Sequence, residues 1–576
     1  ATSRIRPRTS TGSCRKAEED PIIPICRPGL YGLLAGALIL PLPGASAAAQ
    51  ETSTLRDYLR ARAAGNEDSI EQAGEAYRSA LAAAPGSRTV ASNALGHAIG
   101  VGDRALAFRA AAILDSAGDT SPEVQLVMLS QALRDEDWRS ATARVDRLAA
   151  VEAFSFMTPV LRAWIAFGSR RGDPIALLEA APAEQVPEAF VAENRALLLL
   201  ARNRPGAAEQ LAAVADQSGM RGQRLRVAGA ALLARRGKRE QALALVAGEG
   251  AVFAAARRLI QARRTIPGEI ATARAGVAEF LARLSIELNS QEAAPIALSF
   301  ARIATFLAPE NSEASLIVAE LLLAQNRHSS ALAAVGQIGA DDPFWVAGRD
   351  LRIRILHGAG RRDEAVALAR SVAESETAGV GEWRRLGDLY LDLERDEEAV
   401  AAYRRAIALA GDGSAENPLW ALLLPQAAAL ERSGDWPAAK AALERARALA
   451  PDQPQILNDL GYLQLDRREN VEEATRLVAE AHRLAPDSAA ITDSLGWAYY
   501  LQGDLPRAID LLERAAQREP ADPEINEHLG DAYYRAGRRI EARFAWRAAL
   551  VYAEEESAAR LRAKIESGLA APLAAR

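Results

Sequence analysis

A small residue returns every 34 positions along most of this chain, and that beat limits the fold more than any other feature. It falls at Ala297, Ala331, Ala365 and Ala399, then at Ala439 after a step of 40 and Ala474 after 35, and continues to Ala508 and Ala542 at 34 each. Gly461, Gly496 and Gly530 keep the same phase, as do Pro451, Pro486 and Pro520. In the N-terminal half Ala73, Ala107 and Ala141 are 34 apart, and Ala176, Ala207 and Ala242 follow at 35, 31 and 35. The gap from Ala242 to Ala297 is 55, too long for one unit and too short for two. Residues 251–290 are therefore expected to form an irregular helical junction, the natural place for a subdomain boundary and for motion between the halves.

Each unit can be built from its residues. In "PDSAAITDSLGWAYYLQGDLPRAIDLLERAAQREP", Pro486 stands where one helix stops and another can start. A first helix runs to about Leu501, Gly503 and Asp504 break it, and Asp504 caps a second helix. Side chains three or four apart share a face, so Leu495, Ala498 and Tyr499 form one stripe and Ala508, Leu512 and Ala515 another. Such a pair cannot bury both apolar faces alone and must stack on its neighbours. Composition agrees: 49% of residues are hydrophobic and only 5% aromatic, an aliphatic and Ala-rich content that favours helices over strands. The formal net charge of −6 gives no sign of a nucleic-acid partner.

The pattern closely resembles the tetratricopeptide repeat. The unit near Trp383 carries Leu386, Gly387, Tyr390, Ala399, Tyr403 and Ala406, with Gly411 where proline is usual. A later unit carries Leu495, Gly496, Tyr499, Ala508, Leu512, Ala515 and Pro520, and Ala73, Tyr77, Ala80 and Pro85 match the second helix of a unit at the start. The fit is strong over 297–552 and degenerate over 52–250. The resemblance implies an all-α fold, a right-handed superhelical α-solenoid of antiparallel helix pairs, with repeats over 50–250 and 291–552 and a capping helix and tail over 553–576. It also implies that the first helix of each unit lines the concave face. "ILNDLGYLQLDRREN" followed by "INEHLGDAYYRAGRRIEARFAWRAAL" is similar to a subgroup of secreted bacterial repeat proteins. Some members of that subgroup are outer-membrane lipoprotein adaptors of periplasmic carboxyl-terminal processing proteases.

Residues 1–49 read as a long leader. Basic residues precede an uncharged run over 30–42, followed by small residues at Ala45 and Ala47, the order of a cleaved secretory signal peptide. Thirteen apolar residues are too few to span a bilayer, which needs roughly 20. The expected location is the periplasm or cell envelope of a bacterium, with no transmembrane span in the mature chain. Cys26 precedes the apolar run, so there is no lipobox, and with Cys14 it would leave with the leader. The mature chain would then have no thiol chemistry.

No catalytic or cofactor motif stands out. His97, His328, His357, His482 and His528 show no metal-ligand spacing, "RRGKRE" around Gly237 lacks the upstream glycine of a phosphate loop, and "GDGSAENP" at 411–418 is an insertion between units. The expectation is a non-enzymatic scaffold without cofactor or metal that binds protein or peptide partners, such as a periplasmic protease or an envelope-assembly factor. A component of a polysaccharide synthesis or export system, or of outer-membrane assembly, is the alternative.

The stripe of each first helix that packing within the unit does not claim carries Asn458 and Tyr462, then Asp493, Trp497 and Tyr500, then Glu527, Asp531 and Tyr534. Stacked, these would form an aromatic and acidic strip, with the aromatics as anchors for an extended peptide of basic or neutral character. Packing of those aromatics between successive first helices is the other reading, and sugar stacking is a third use of the same surface.

Overall fold

The computed structural model describes residues 56, 58–61 and 70–569, apart from 182–185, 220, 377, 415 and 416. The leader with its apolar run lies outside these residues. Among the described residues every regular element is a helix, arranged as antiparallel pairs from Arg88–Val101 with Arg104–Ser116 to Pro523–Arg535 with Arg539–Tyr552. No helix among them is long and apolar enough to cross a membrane.

The unit after Pro486 folds as its residues dictate. Ser488 caps Ala489–Gln502 by accepting from the Ile491 amide, and Gly503 ends it in the left-handed region. Asp504 then caps Leu505–Arg518 by accepting from the Arg507 amide. The alanines that mark the beat lie in the core: Ala297, Ala331, Ala365, Ala399, Ala439, Ala474, Ala508 and Ala542 are all completely buried. The exception lies in the N-terminal half, where Ala176 is exposed and Pro174 and Leu178 fill the interface instead. Pro174–Glu179 has only six residues, so it is too short to bring the expected alanine round to the core.

The two halves bury their apolar surface differently. In the C-terminal half the core is divided into separate clusters, one spanning Leu356 to Ile491 and the others each shared by neighbouring units. From Ala61 to Phe344 it is one continuous cluster that runs through 251–290 without a break. That stretch holds the helix Ala251–Gln261, a connection over 262–272, and the helix Ala273–Ser290.

Ala273–Ser290 and its partner Ala294–Leu307 lie inside the curve of the N-terminal repeats. They touch the first helices Arg88–Val101, Pro122–Arg134, Thr158–Ser169 and Glu188–Ala201. The longer one is buried on most of its sides from Ala273 to Ser285. Gly276 sits against the Trp164 indole so closely that a Cβ would fall 2.2 Å from it. Phe280 meets Phe190 edge to face at 5.7 Å, Phe306 meets Phe108 in the same way, and Phe300 lies tilted against Phe154 at 6.1 Å. A buried ion network closes one end: Arg221 bonds Glu193, Glu279 and Glu313, and Arg224 bonds Glu279 and the Gly268 carbonyl. The concave face of the N-terminal half is thus filled by the chain itself.

Candidate functional site

The inner face of the C-terminal half is laid out by one register. Gly387, Gly461, Gly496 and Gly530, with Ala427 in the unit between the first two, turn toward the second helix; a Cβ on Gly530 would fall 2.4 Å from Trp546. The residues three before and one after this point then share the neighbouring side of the first helix. They are Arg384 and Asp388, Leu424 and Ala428, Asn458 and Tyr462, Asp493 and Trp497, and Glu527 and Asp531. That side is concave, because the Tyr462 hydroxyl donates to Glu524 two repeats further on, across the unit that contains Trp497.

The strip expected from the sequence is brought together, and over its last two repeats it is filled. Trp497 stacks on Tyr500 at 4.5 Å and on His528 at 4.0 Å. Asp493 is buried and accepts from His528 Nδ1 at 2.9 Å. Glu527 accepts a two-point bond from Arg560 and a third from Lys564 at 2.7 Å. Asp531 accepts from Lys564 and from the Trp546 indole N–H at 2.8 Å. Arg560 and Lys564 come from the last helix, Glu555–Ser567, which stacks where the first helix of another unit would lie. Three carboxylates therefore face three cations, and the strip presents no net acidic field.

The strip expected to be acidic, and suited to segments of basic or neutral character, thus has its carboxylates already paired. The cations were not legible as partners, because Arg560 and Lys564 lie in a segment that reads as a solvated cap and His528 lies beside the stripe, not on it. The division of the aromatics is corrected. Tyr500 is buried, with Arg535 over its ring at 4.7 Å. Tyr499, assigned to packing, is partly exposed, with Arg507 over it at 4.2 Å. Tyr534 is partly exposed against Trp546 at 5.5 Å.

Electrostatics reflects the pairing. Burial alone would lower the His528 pKa, but the Asp493 carboxylate outweighs it and lifts the pKa to about 9, so the imidazole is a cation at neutral pH. Burial likewise pushes Glu527 up, and Arg560 and Lys564 overcome it and hold the carboxyl below its ordinary value.

The open part of the inner face lies earlier, from the strip's first unit, with Asn458 and Tyr462, back through two units that the strip did not include. Asp388 and Ala428 are exposed there, and Arg384, Leu424 and Tyr462 partly so. Asp388 is held by the Tyr403 hydroxyl at 2.7 Å. Arg384 Nε and Asn458 Oδ1 are buried without a hydrogen-bond partner, a state that costs free energy until a donor or acceptor arrives. The same register that picked out Asn458 and Tyr462 could have found Arg384, Asp388 and Leu424. Their residue types, two charges of opposite sign and a leucine, carry no signal alone. Among the described residues no group of three or more His, Cys, Asp or Glu side chains is placed to hold a metal ion.

A solenoid of paired helices, presenting polar and aromatic side chains along one inner face, defines a helical-repeat protein. Three stretches of the C-terminal half, residues 383–412, 424–489 and 496–537, match family models of the tetratricopeptide repeat. A TPR repeat-containing protein of Pseudomonas aeruginosa, PA4667, is 32% identical over 210 residues, which is 36% of this chain and 34% of that protein. The chain's match therefore spans about a third of that relative's length. Among solved structures, a tetratricopeptide repeat protein from Parabacteroides merdae aligns over 50% of this chain and 98% of its own, at 14% identity and a TM-score of 0.35. A thermophilic TPR protein from Thermus thermophilus, TTC0263, aligns over 33% of this chain and 98% of its own, at 25% identity and a TM-score of 0.28.

Proposed function

We propose that this chain is a non-enzymatic interaction scaffold that holds an extended protein segment on the inner face of residues 380–466. The observation that carries this is the contrast between the two inner faces. The N-terminal one is filled by Ala273–Ser290 and Ala294–Leu307, whereas the one around Arg384, Leu424 and Asn458 is open and has polar atoms without partners. A peptide main chain offers alternating donors and acceptors that would meet Asn458 Oδ1 and Arg384 Nε, with apolar side chains against Leu424 and Tyr462. With one charge of each sign at Arg384 and Asp388, the site selects for shape and hydrogen bonding more than for net charge.

The apolar run in the leader supports a place in the bacterial cell envelope, and the resemblance to protease adaptors supports a periplasmic processing protease as the client's destination. A glycan-holding role loses its main support, because the ring of Trp497 is already taken by two stacking partners.

Photo-crosslinking in cells tests the site. A crosslinking residue in place of Leu424 or Tyr462 should give defined protein adducts, and one at outward-facing Arg404 should not. Recovery of a processing protease or its substrates supports the adaptor reading. Recovery of polysaccharide-synthase subunits, or equal adducts at Arg404, overturns it.

A further inference from the structure

The last repeat carries an apolar ridge that nothing among the described residues covers. Ile540, Phe544 and Val551 are 71%, 65% and 70% exposed, on a helix whose opposite side, with Ala542, Ala545, Trp546 and Ala549, is buried. Steps of four and seven put the three on one side of Arg539–Tyr552, along about 16 Å of helix. Arg539, Arg543 and Arg547 stand four apart on the adjoining side and are exposed. Arg543 donates to the Ile565 carbonyl, and Arg547 and Arg539 lie 6.0 and 5.6 Å from the Phe544 and Tyr534 rings. None of the three has a carboxylate at ion-pair distance among the described residues. The acid on the other flank, Glu541, is already paired with Arg538 at 3.1 Å.

We propose that this ridge docks the solenoid on an anionic lipid surface. Three bulky apolar side chains bordered by three uncompensated arginines make the pattern of a helix lying in a membrane interface, with its apolar side among the acyl chains and its guanidinium groups at the phosphates. Charge complementarity is local: the chain as a whole carries −6, so repulsion from an anionic surface is least where these arginines stand. Shape agrees, because the ridge projects from a second helix on the outer side of the array. A projecting ridge fits a deformable bilayer without needing a matching groove. With no helix able to cross a bilayer among the described residues, the attachment is peripheral and reversible. It leaves the inner face of 380–466, on the opposite side of the helix pairs, free for a partner.

Flotation of the full chain with vesicles of phosphatidylethanolamine and phosphatidylglycerol, against phosphatidylcholine alone, tests this. Binding is expected on the anionic vesicles, weakened about tenfold by Arg543→Glu with Arg547→Glu and abolished by Ile540→Glu with Phe544→Glu. Circular dichroism should show both variants folded; these side chains are exposed, so the fold does not need them. Three results overturn the proposal: no flotation, flotation indifferent to lipid charge, or flotation unchanged in the variants. Self-association by sedimentation velocity that Phe544→Glu removes, without flotation, would assign the ridge to a second copy and overturn it as well.

Discussion

The indole of Trp497 lies 4.0 Å from the His528 ring and within 16° of parallel to it, one repeat away, while Asp493 holds the same imidazole from the side. Stacked on an aromatic and paired with a carboxylate, His528 joins two successive first helices as a buried cation. A surface that would have been a binding strip is turned into an inter-repeat fastener.

The fastener is tied to pH. The folded-state pKa of His528 is raised from 6.5 to about 9, so its contribution is fully present below about 6.5 and is lost as pH rises through about 9. That contribution is on the order of 3 kcal/mol. Hydrogen exchange of Ala489–Gln502 and Pro523–Arg535 should therefore accelerate between pH 7 and 10, after correction for intrinsic rates. The double variant Asp493→Asn with His528→Phe should flatten the dependence while keeping the ring stack.

Gly276 is where the central helix touches the N-terminal repeats most closely. Gly276→Ala places a methyl 2.2 Å from the Trp164 indole, and Trp164 cannot turn away because its N–H donates to Asn194 at 2.8 Å. The expected loss is about 1–3 kcal/mol from overpacking. Urea unfolding should show it in a transition of the N-terminal core, with the C-terminal repeats unchanged.

Glu279 is completely buried, with Arg221, Arg224 and Asn311 around it. Burial would raise its pKa, and the two guanidinium groups reverse that and keep it ionised. Glu279→Leu leaves the buried Arg224 without a carboxylate, while Arg221 keeps Glu193 and Glu313, and the expected cost is about 3–5 kcal/mol. Replacing Arg224 with Met in the same chain should recover part of it, measured by the same urea transition.

Lys564 bonds both Glu527 and Asp531 from the last helix. Lys564→Met keeps the volume and removes the charge, leaving Asp531 with the Trp546 N–H as its remaining side-chain donor. The expected loss is about 2 kcal/mol, below the figure for full burial because the group keeps some contact with water. It should appear as faster exchange in Pro523–Arg535 and Arg539–Tyr552 alone, since a repeat array loses stability locally.

Much of the fold was legible because the repeat writes its packing in small residues at a fixed spacing. Ala297 through Ala542 are buried where the beat puts them. Ala176 departs because Pro174–Glu179 is a single short helix with its own contacts. The strip was legible as a set of neighbours, and the register brought Asp493, Trp497 and Glu527 to one side. Its availability was not legible, because that depends on residues outside the stripe: His528 beside it and Lys564 more than thirty positions on.

What the sequence determined by itself is periodic and local: helices, their caps, the pairing within a unit, and which side of each first helix is left over. A 34-residue beat suffices for these because every contact involved spans one or two units. What only the tertiary structure decided is where the array meets itself. The curvature of the N-terminal repeats brings Ala273–Ser290 against helices more than a hundred residues earlier, and the turn after Tyr552 brings Lys564 to Asp531. Such contacts depend on small rotations summed over many repeats, a quantity that no single stretch of sequence carries. They close the inner face at both ends and leave it open over residues 380–466.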